Sequence, residues 1–259
     1  MRSRYLVLGL IVGLFAWYFA AALFGSDLFV FRDAADFYQP LFQFTRSQWL
    51  CGSLPLWNPY ENLGMPLAGN ATSSVFYPGT QIFLLPWDYA WSYKIYVLAH
   101  VLLAAATAYR TARRFGSSVE ASGLCALCYA FGGNVLYQYT NVVFLVGAAW
   151  LPAALEAADR MLVGRSFAAA VGLGVILALM TLGGDPQAAY HAGLLAATYA
   201  LGLWWCERRD SLGGVPLRFG WHALTTRSVG WACSALTATC RPAAAPRDGM
   251  PPDVGPFSE

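Results

Sequence analysis

Long runs of apolar residues dominate the pattern along the chain. Six runs approach or reach the length of about 20 residues that a helix needs to cross a bilayer. Apolar residues occupy every face of each run, unlike a surface helix of a soluble domain. The runs cover residues 5–25, 89–109, 119–139, 142–158, 167–184 and 187–206. The pattern predicts an all-α, polytopic transmembrane helix bundle of about six spans.

The first run also has one feature of a secretory signal, because Arg2 and Arg4 precede it. Its apolar stretch has about 21 residues, whereas the apolar region of a signal peptide usually has about 7–15. The greater length favours a retained first helix that spans the membrane.

Basic residues fall in alternate connections of the predicted bundle. They precede the first span, separate the second from the third and the fourth from the fifth, and follow the sixth. These residues are Arg2, Arg4, Arg110, Arg113, Arg114, Arg160, Arg165, Arg208 and Arg209. Short loops rich in Lys and Arg stay in the cytoplasm. The alternation therefore predicts a multi-pass protein of the cytoplasmic (inner) membrane with its N-terminus inside.

The composition agrees with a membrane protein whose first partner is the lipid bilayer. Of the 259 residues, 58% are hydrophobic and 12% are charged, against about 25% charged residues in soluble domains. The mean hydropathy is +0.47. The net charge is only +2, and the basic residues are scattered, so a nucleic-acid partner is not expected.

Two stretches lie outside the predicted spans. Residues 26–87 form a long connection that the alternation places outside the cell, and connections of this length are usually functional. From residue 210 onward no apolar run approaches span length. Residues 241–259 are rich in Pro, Gly and Ala, which is typical of disorder or of an aberrant end. We therefore expect a transmembrane domain over 1–209, including the outer loop 26–87, and a C-terminal tail over 210–259.

An acidic cluster follows the first span directly. It contains Asp27, Asp33 and Asp36, with Arg32 beside them. On a helical turn Asp33 and Asp36 would share one face. Such a pair can serve as a general base or hold a hard cation such as Mg²⁺ or Mn²⁺. The alternative is a solvated helix start in which Asp33 is paired with Arg32.

Aromatic residues and prolines alternate over residues 53–87. Prolines in the sequences "LWNPY", "GMPLAG" and "FYPG" disfavour a helix, and amphipathic rings such as Trp57, Tyr60 and Tyr77 suit the membrane interface. We expect a stiff, irregular cap on the outer membrane face. Its rings would stack on sugars or cover a lipid-linked substrate; the alternative is an aromatic belt that anchors the loop.

Five sequence blocks, in order along residues 5–206, resemble one family. They are "DAADFYQPLF", "GSLPLWNPYENLGMPL", "FYPG", "AWLPAAL" and "GGDPQAAY". Together they look like the YfhO-like family of bacterial integral membrane proteins. The last block departs from the family pattern, because Asp185 stands where the family often has His.

The resemblance implies a function and a set of site residues. The family is similar to the GT-C glycosyltransferases, which transfer a sugar from a polyprenyl-phosphate carrier to a cell-envelope acceptor on the outer membrane face. It implies a catalytic or metal-binding role for Asp33 and its neighbour Asp36, with Mg or Mn as the divalent cation. The expected substrate-binding residues are Arg32, Arg46, Trp57, Asn58, Tyr60, Tyr77, Lys94 and Gln187. Family members are much longer, so the chain corresponds to an N-terminal part, and transfer is expected of the full-length enzyme.

Two other functions stay open from the residues alone. A transporter or flippase of lipid-linked intermediates would use Lys94, His100 and His191 as a polar pathway through the bilayer. The spans carry few charges and show no inverted repeat, which argues against it. A non-catalytic membrane scaffold is the third possibility.

Overall fold

The computed structural model of the protein describes residues 2–25 and 28–211 and is mostly helical (76%). The α-helices are α1 (Arg2–Tyr18), α2 (Ala20–Phe24), α3 (Gln39–Leu50), α4 (Tyr89–Arg114), α5 (Val119–Ala130), α6 (Gly133–Leu136), α7 (Val142–Leu162), α8 (Phe167–Leu182) and α9 (Pro186–Ser211). Almost all of the predicted tail, residues 212–259, lies outside the described residues.

Local capping signals set the starts of several long helices. The side chains of Asp88, Ser118 and Ser166 accept hydrogen bonds from backbone N–H groups in the first turns of α4, α5 and α8. Such caps satisfy donors that the helix itself leaves without partners. These three helices begin at the residues where the apolar pattern starts, and α7, which has no side-chain cap, does so as well.

Helices α4 and α7 lie at the centre of the bundle and run in the same direction. Near their C-terminal ends, Arg110 pairs with Glu156 and Arg114 with Asp159. Near the N-terminal end of α7, Asn141 contacts Asp33. We call these the basic end and the acidic end of the bundle. Helix α8 reaches the acidic end and α9 returns from it.

Threonines and a tyrosine join the central helices through polar contacts. Thr107 and Thr111 of α4 donate hydrogen bonds to the carbonyls of Ala149 and Pro152 in α7, at 2.8 and 2.7 Å. Pro152 has no N–H, so the carbonyl four residues earlier, that of Ala148, loses its helical donor. The hydroxyl of Tyr129 in α5 donates to that carbonyl at 2.8 Å. The proline is therefore accommodated inside a buried helix.

The third predicted span is not one straight helix. Helix α5 ends at Ala130, and the following helical pair, α6 and the 3-10 turn Tyr137–Thr140, is bent from it by 44°. Gly132 has an extended ψ of 142° at the break. A Cβ at this position would lie 2.6 Å from the carbonyl oxygen of Cys128, so the break requires glycine there.

Two of the described helices, α4 and α7, are long and apolar enough to cross a membrane. A third crossing is added if the bent pair of α5 with residues 133–140 counts as one span. The first run is divided at Phe19 between α1 and α2. The apolar part of α1, Tyr5–Tyr18, and helix α8 are both shorter than 18 residues. The helical, membrane-type bundle is thus confirmed, while the number of six spans stays a prediction.

The 26–87 segment contains more regular structure than its prolines suggested. Helix α3 is followed by a short antiparallel ribbon in which β1 (Trp57–Asn58) pairs with β2 (Met65–Pro66). Two 3-10 turns, Ala71–Ser73 and Pro78–Leu84, complete it. Phe42 and Phe83 are buried and pack against Tyr96 of α4, with ring centroids 5.9 and 5.2 Å away. This burial fixes the segment on the acidic end.

Candidate functional site

The two predicted carboxylates, Asp33 and Asp36, are both exposed at the acidic end. Asp33 precedes a turn of π-helix, Ala34–Tyr38, that leads into α3. Arg32 has a left-handed φ of 54°, and its carbonyl accepts the N–H of Asp36 at 3.1 Å. Short stretches of π-helix often occur at functional sites. Here Asp33 directly precedes the π-helix and Tyr38 is its last residue.

A hydrogen-bonded chain connects this turn to the start of α7. Asn141 Nδ2 donates to Asp33 Oδ2 at 3.1 Å, and the hydroxyl of Tyr38 donates to Asn141 Oδ1. Asn141 lies more than a hundred residues further along the chain, between the 3-10 turn Tyr137–Thr140 and α7. We call this arrangement the Tyr38–Asn141–Asp33 chain; it holds one carboxylate oxygen of an exposed side chain.

The hydroxyl of Tyr38 stays protonated over the whole physiological range. Burial, with added repulsion from the charges of Asp33 and Asp185, raises the pKa of Tyr38 to about 12. A neutral phenol donates its proton to Asn141 Oδ1. The amide oxygen is thereby engaged, and the amide N–H₂ group is directed at Asp33.

A second carboxyl group, that of Asp185, lies buried near this chain. Its Oδ1 accepts the N–H of Ala188 at 2.8 Å and so caps α9. A Cβ on Gly147 of α7 would lie 2.2 Å from Asp185 Oδ2, which shows how closely the carboxyl group is packed. Burial raises the pKa of Asp185, while the hydrogen bond from Ala188 and the charge of His191 act in the opposite direction.

An apolar groove with a volume of about 720 Å³ is lined by residues 28–31, shortly before Asp33 in the chain. The size falls within the range of about 300–1,000 Å³ for small-molecule sites. Phe31, two residues before Asp33, forms part of its wall, and Val97 and Val101 of α4 form another part. Most other lining residues are apolar or aromatic: Tyr18, Phe19, Ala21, Ala22, Leu28, Phe29, Val30, Phe131, Gly133, Leu136, Tyr137 and Tyr139.

Two predicted cationic ligands are engaged in holding the fold. Arg46 donates through Nη2 to the carbonyl of Trp87 at 2.9 Å. Lys94 is buried, donates to the carbonyl of Gly25 at 2.9 Å and lies 4.6 Å from the ring centre of Trp91. Arg32 is exposed beside Asp33, so it is the best placed of the three predicted cations for an anionic substrate group.

Asn58 and Tyr77, also predicted to bind substrate, lie buried in the fold. Asn58 Oδ1 accepts the N–H of Tyr60 at 3.0 Å and closes a tight turn. The hydroxyl of Tyr77 is 2.8 Å from His100 Nε2 and accepts the indole N–H of Trp150 at 3.0 Å. Both side chains have hydrogen-bond partners inside the protein, so they stabilise the fold of residues 26–87.

Trp57, Tyr60 and Gln187 are exposed. Tyr60 is 85% exposed and meets Phe44 edge-on, while Trp57 lies over Gly64, whose φ of 111° favours glycine. Within the described part of the chain, no hydrogen bond or ring contact joins these three residues to Asp33.

No group of three or more His, Cys, Asp or Glu residues forms a metal-type cluster within residues 2–25 and 28–211. Asp33 and Asp36 would offer a cation two exposed protein carboxylates. Mg²⁺ is often bound by one or two carboxylates together with substrate phosphates. A cation at this site would therefore depend on oxygen ligands from the substrate and water.

Comparisons with protein-family models, with curated proteins and with solved structures found no match to this chain. The site consequently rests on its own geometry. Sequence reasoning gave no role to Tyr38, although it lies in the first of the five blocks. From the sequence, Asn141 was expected near the outer face, with Gln138, as a residue that could line a substrate groove. Nothing in the sequence connects it to Asp33.

Proposed function

We propose that the protein is a glycosyltransferase-like membrane protein of the YfhO-like, GT-C-like type. It would transfer a sugar from a polyprenyl-phosphate carrier to a cell-envelope acceptor. The proposal includes about six spans, an N-terminus in the cytoplasm and an acidic end that faces outward. The observation that carries it is the exposed Asp33 carboxylate, held by Asn141 at 3.1 Å beside an apolar groove.

The groove supplies what a lipid-linked donor requires. Its walls are apolar from Val97 and Val101 in α4 to Phe31, so burial of a hydrocarbon chain there is favourable. The charged carrier phosphate would be left outside these walls, and Arg32, the residue after Phe31, is exposed. Arginine binds phosphate through two parallel N–H groups. Donor phosphate and candidate base would then lie at the same end of the bundle.

The chemical step uses Asp33 as general base. The hydroxyl proton of the acceptor moves to Asp33, and the acceptor oxygen forms a bond with the anomeric carbon of the sugar. The bond from that carbon to the carrier phosphate breaks, and polyprenyl phosphate leaves with the electron pair. Asn141 engages Oδ2, so Oδ1 of the exposed side chain can accept the proton. A positioned base typically contributes about 10²- to 10⁴-fold to the rate.

The leaving phosphate needs positive charge near it. In this proposal Arg32 supplies it, and a divalent cation on Asp33 and Asp36 would add to it when bound. Asp36 is placed near the site by the same π-helical turn. If Asp36 acts as a cation ligand, its replacement affects transfer only when the cation takes part.

The test is a transfer assay in membranes that contain the protein, with a radiolabelled polyprenyl-phosphate sugar and a membrane extract as acceptor source. Asp33→Asn keeps size and polarity but cannot accept the proton, so transfer is expected to fall by about 10²-fold or more. Asp88→Asn is the matched control, because Asp88 is exposed and caps α4. Wild-type transfer by the Asp33→Asn variant rejects the assignment of the base. No transfer by the wild-type chain rejects the function for this chain.

No observation on the described residues favours the transporter or flippase. Lys94 and His100 are buried and bonded inside the fold, to Gly25 and to Tyr77. His191 is exposed on α9. A transport pathway would need these residues to face one cavity, and none of them lines the groove beside Asp33.

A further inference from the structure

A second groove lies between α1 and α4, toward the basic end of the bundle. Its volume is about 490 Å³. Helix α1 packs mainly on α5, where a Cβ on Gly123 would lie 2.3 Å from Val7 Cγ1. This close approach leaves the space beside α4 open. The walls are largely apolar: Tyr5, Val7, Leu8, Ile11, Val12, Leu102, Ala105, Ala106 and Tyr109, with Arg110 as the charged member.

The positive charge of Arg110 is only partly neutralised. Arg110 Nη2 lies 3.4 Å from Glu156 Oε1, and Arg160 Nη2 lies 2.6 Å from the same oxygen. Two arginines thus share one carboxylate, and the group of three carries a net charge of +1. The Arg110 side chain is 66% exposed. Since a guanidinium has five N–H donors, Arg110 can bind a further anion without leaving Glu156.

We propose that this groove binds an anionic phospholipid, with an acyl chain along α1 and α4 and the phosphate on Arg110. Apolar walls favour a hydrocarbon chain, and a guanidinium favours phosphate. Tyr109 and Tyr5 add amphipathic rings of the type found at headgroup level. The lipid site lies at the other end of the bundle from Asp33 and stands whether or not the protein transfers sugar.

The charge at one end of the groove favours a lipid over a second protein helix. The groove lining contains no acidic residue, so a helix seated there would have to bring its own carboxylate to Arg110. A helix without that carboxylate would cover the exposed Arg110 side chain and leave the net charge of +1 on Arg110, Glu156 and Arg160 uncompensated, which is costly. A phospholipid supplies an apolar chain for the groove walls and an anionic phosphate for Arg110 in one molecule.

The test is native mass spectrometry of the full chain released from micelles. Phosphatidylglycerol and phosphatidylcholine with the same acyl chains are added in turn as probes. The wild-type protein is expected to retain phosphatidylglycerol about tenfold better, because the quaternary ammonium group of phosphatidylcholine offsets the charge of its phosphate beside Arg110 and Arg160. Inorganic phosphate should not displace the bound lipid, because it lacks the acyl chain.

Two pairs of variants separate the headgroup contact from the chain contact. Arg110→Gln should remove the preference for phosphatidylglycerol. Arg113→Gln should keep it, because Arg113 is on the same helix but donates to Ser117 and does not line the groove. Ala106→Phe fills the groove and should reduce retention of both lipids about tenfold. Ala197→Phe, an exposed alanine of α9, should not.

Three results would overturn the proposal. The first is equal retention of the two lipids by the wild-type protein, and the second is an unchanged preference in Arg110→Gln. The third is a dimer of the chain that dissociates in Ala106→Phe, which would assign the groove to a second copy. If Arg110→Gln fails to fold for want of its Glu156 contact, Ala106→Phe decides alone, since Ala106 contributes no charge.

Discussion

The two ends of the bundle use their charged residues in opposite ways. At the basic end, carboxylates and arginines pair across helices: Arg114 Nε lies 2.5 Å from Asp159 Oδ2, and Tyr199 donates to Asp159 Oδ1 at 2.7 Å. Asp159 is 1% exposed. At the acidic end, Asp33 is held by the neutral amide of Asn141, and no ion pair is found there within the described residues.

The contrast separates charges that hold helices together from charges that are open to a ligand. Asp159 joins α4, α7 and α9 through Arg114 and Tyr199, so its charge is compensated inside the protein. Asp33 is oriented but not neutralised by Asn141, because an amide carries no net charge. An oriented, exposed carboxylate is the arrangement that a general base requires.

The largest expected effect is a loss of stability at the basic end. Asp159→Ala removes the buried partner of Arg114 and of the Tyr199 hydroxyl, and breaking a buried pair from one side typically costs about 3–5 kcal/mol. We expect a loss of that size in the free energy of unfolding, measured by denaturant titration in detergent micelles with circular dichroism. The control Asp36→Ala, at an exposed carboxylate, should change it by less than about 0.5 kcal/mol. Equal effects of the two variants would remove the distinction between the ends.

A smaller effect is expected at the Tyr38–Asn141–Asp33 chain. Asn141→Ala removes the donor to Asp33 and the acceptor of Tyr38, so transfer in the membrane assay should fall by about tenfold. The free energy of unfolding should fall by about 1–3 kcal/mol, because the buried hydroxyl of Tyr38 is left without its acceptor. Gln138→Ala, in the 3-10 turn directly before Asn141, is the matched control and should keep wild-type transfer. Undiminished transfer by Asn141→Ala would show that Asp33 needs no orienting partner.

The smallest effect concerns the pH dependence of stability at Asp185. Burial raises the pKa of Asp185 in the folded protein, so the folded state binds the proton more tightly than the unfolded state. Stability from this group is therefore present at low pH and is lost as the pH rises through the folded pKa. Asp185→Asn keeps an oxygen for the N–H of Ala188 but does not ionise.

The variant should thus melt at a higher temperature than the wild type at about pH 8, and the difference should shrink toward about pH 4. Thermal melts in detergent micelles at both pH values measure this. A difference that grows as the pH falls would contradict the stated direction. Asp88→Asn, at an exposed helix cap, is the control and should shift the melting temperature little at either pH.

Local signals in the sequence made the helices predictable, but they carry no information on the contacts between helices. Asp88, Ser118 and Ser166 each accept a hydrogen bond from an N–H two or three residues later in the chain. The starts of these helices are therefore marked locally in the sequence. The break after α5 was missed, since the run over 119–139 stays apolar through Gly132. Its apolar pattern is that of a straight helix, while the bend depends on how the glycine packs.

For the same reason, the sequence predicted only part of the candidate site. Asp33 stands out as a carboxylate directly after an apolar run, and it was named together with Asp36. The roles expected for Arg46, Lys94 and Asn58 came from residue type, from the predicted outer location and from the family resemblance. Arg46 and Asn58 have backbone partners inside the 26–87 segment, and Lys94 connects α4 to Gly25 at the end of the first apolar run.

The sequence by itself determined a helical, membrane-type chain with an acidic group after its first apolar run, because hydrophobic periodicity and helix caps act over a few residues. Only the tertiary structure brought Asn141 to Asp33, buried Asp185 beside Gly147, and formed the two apolar grooves, one near residues 28–31 and one at Arg110. Those features depend on how close α1, α5 and α7 pack to their neighbours. Packing distances are set by side chains that are far apart in the chain, so no local pattern records them.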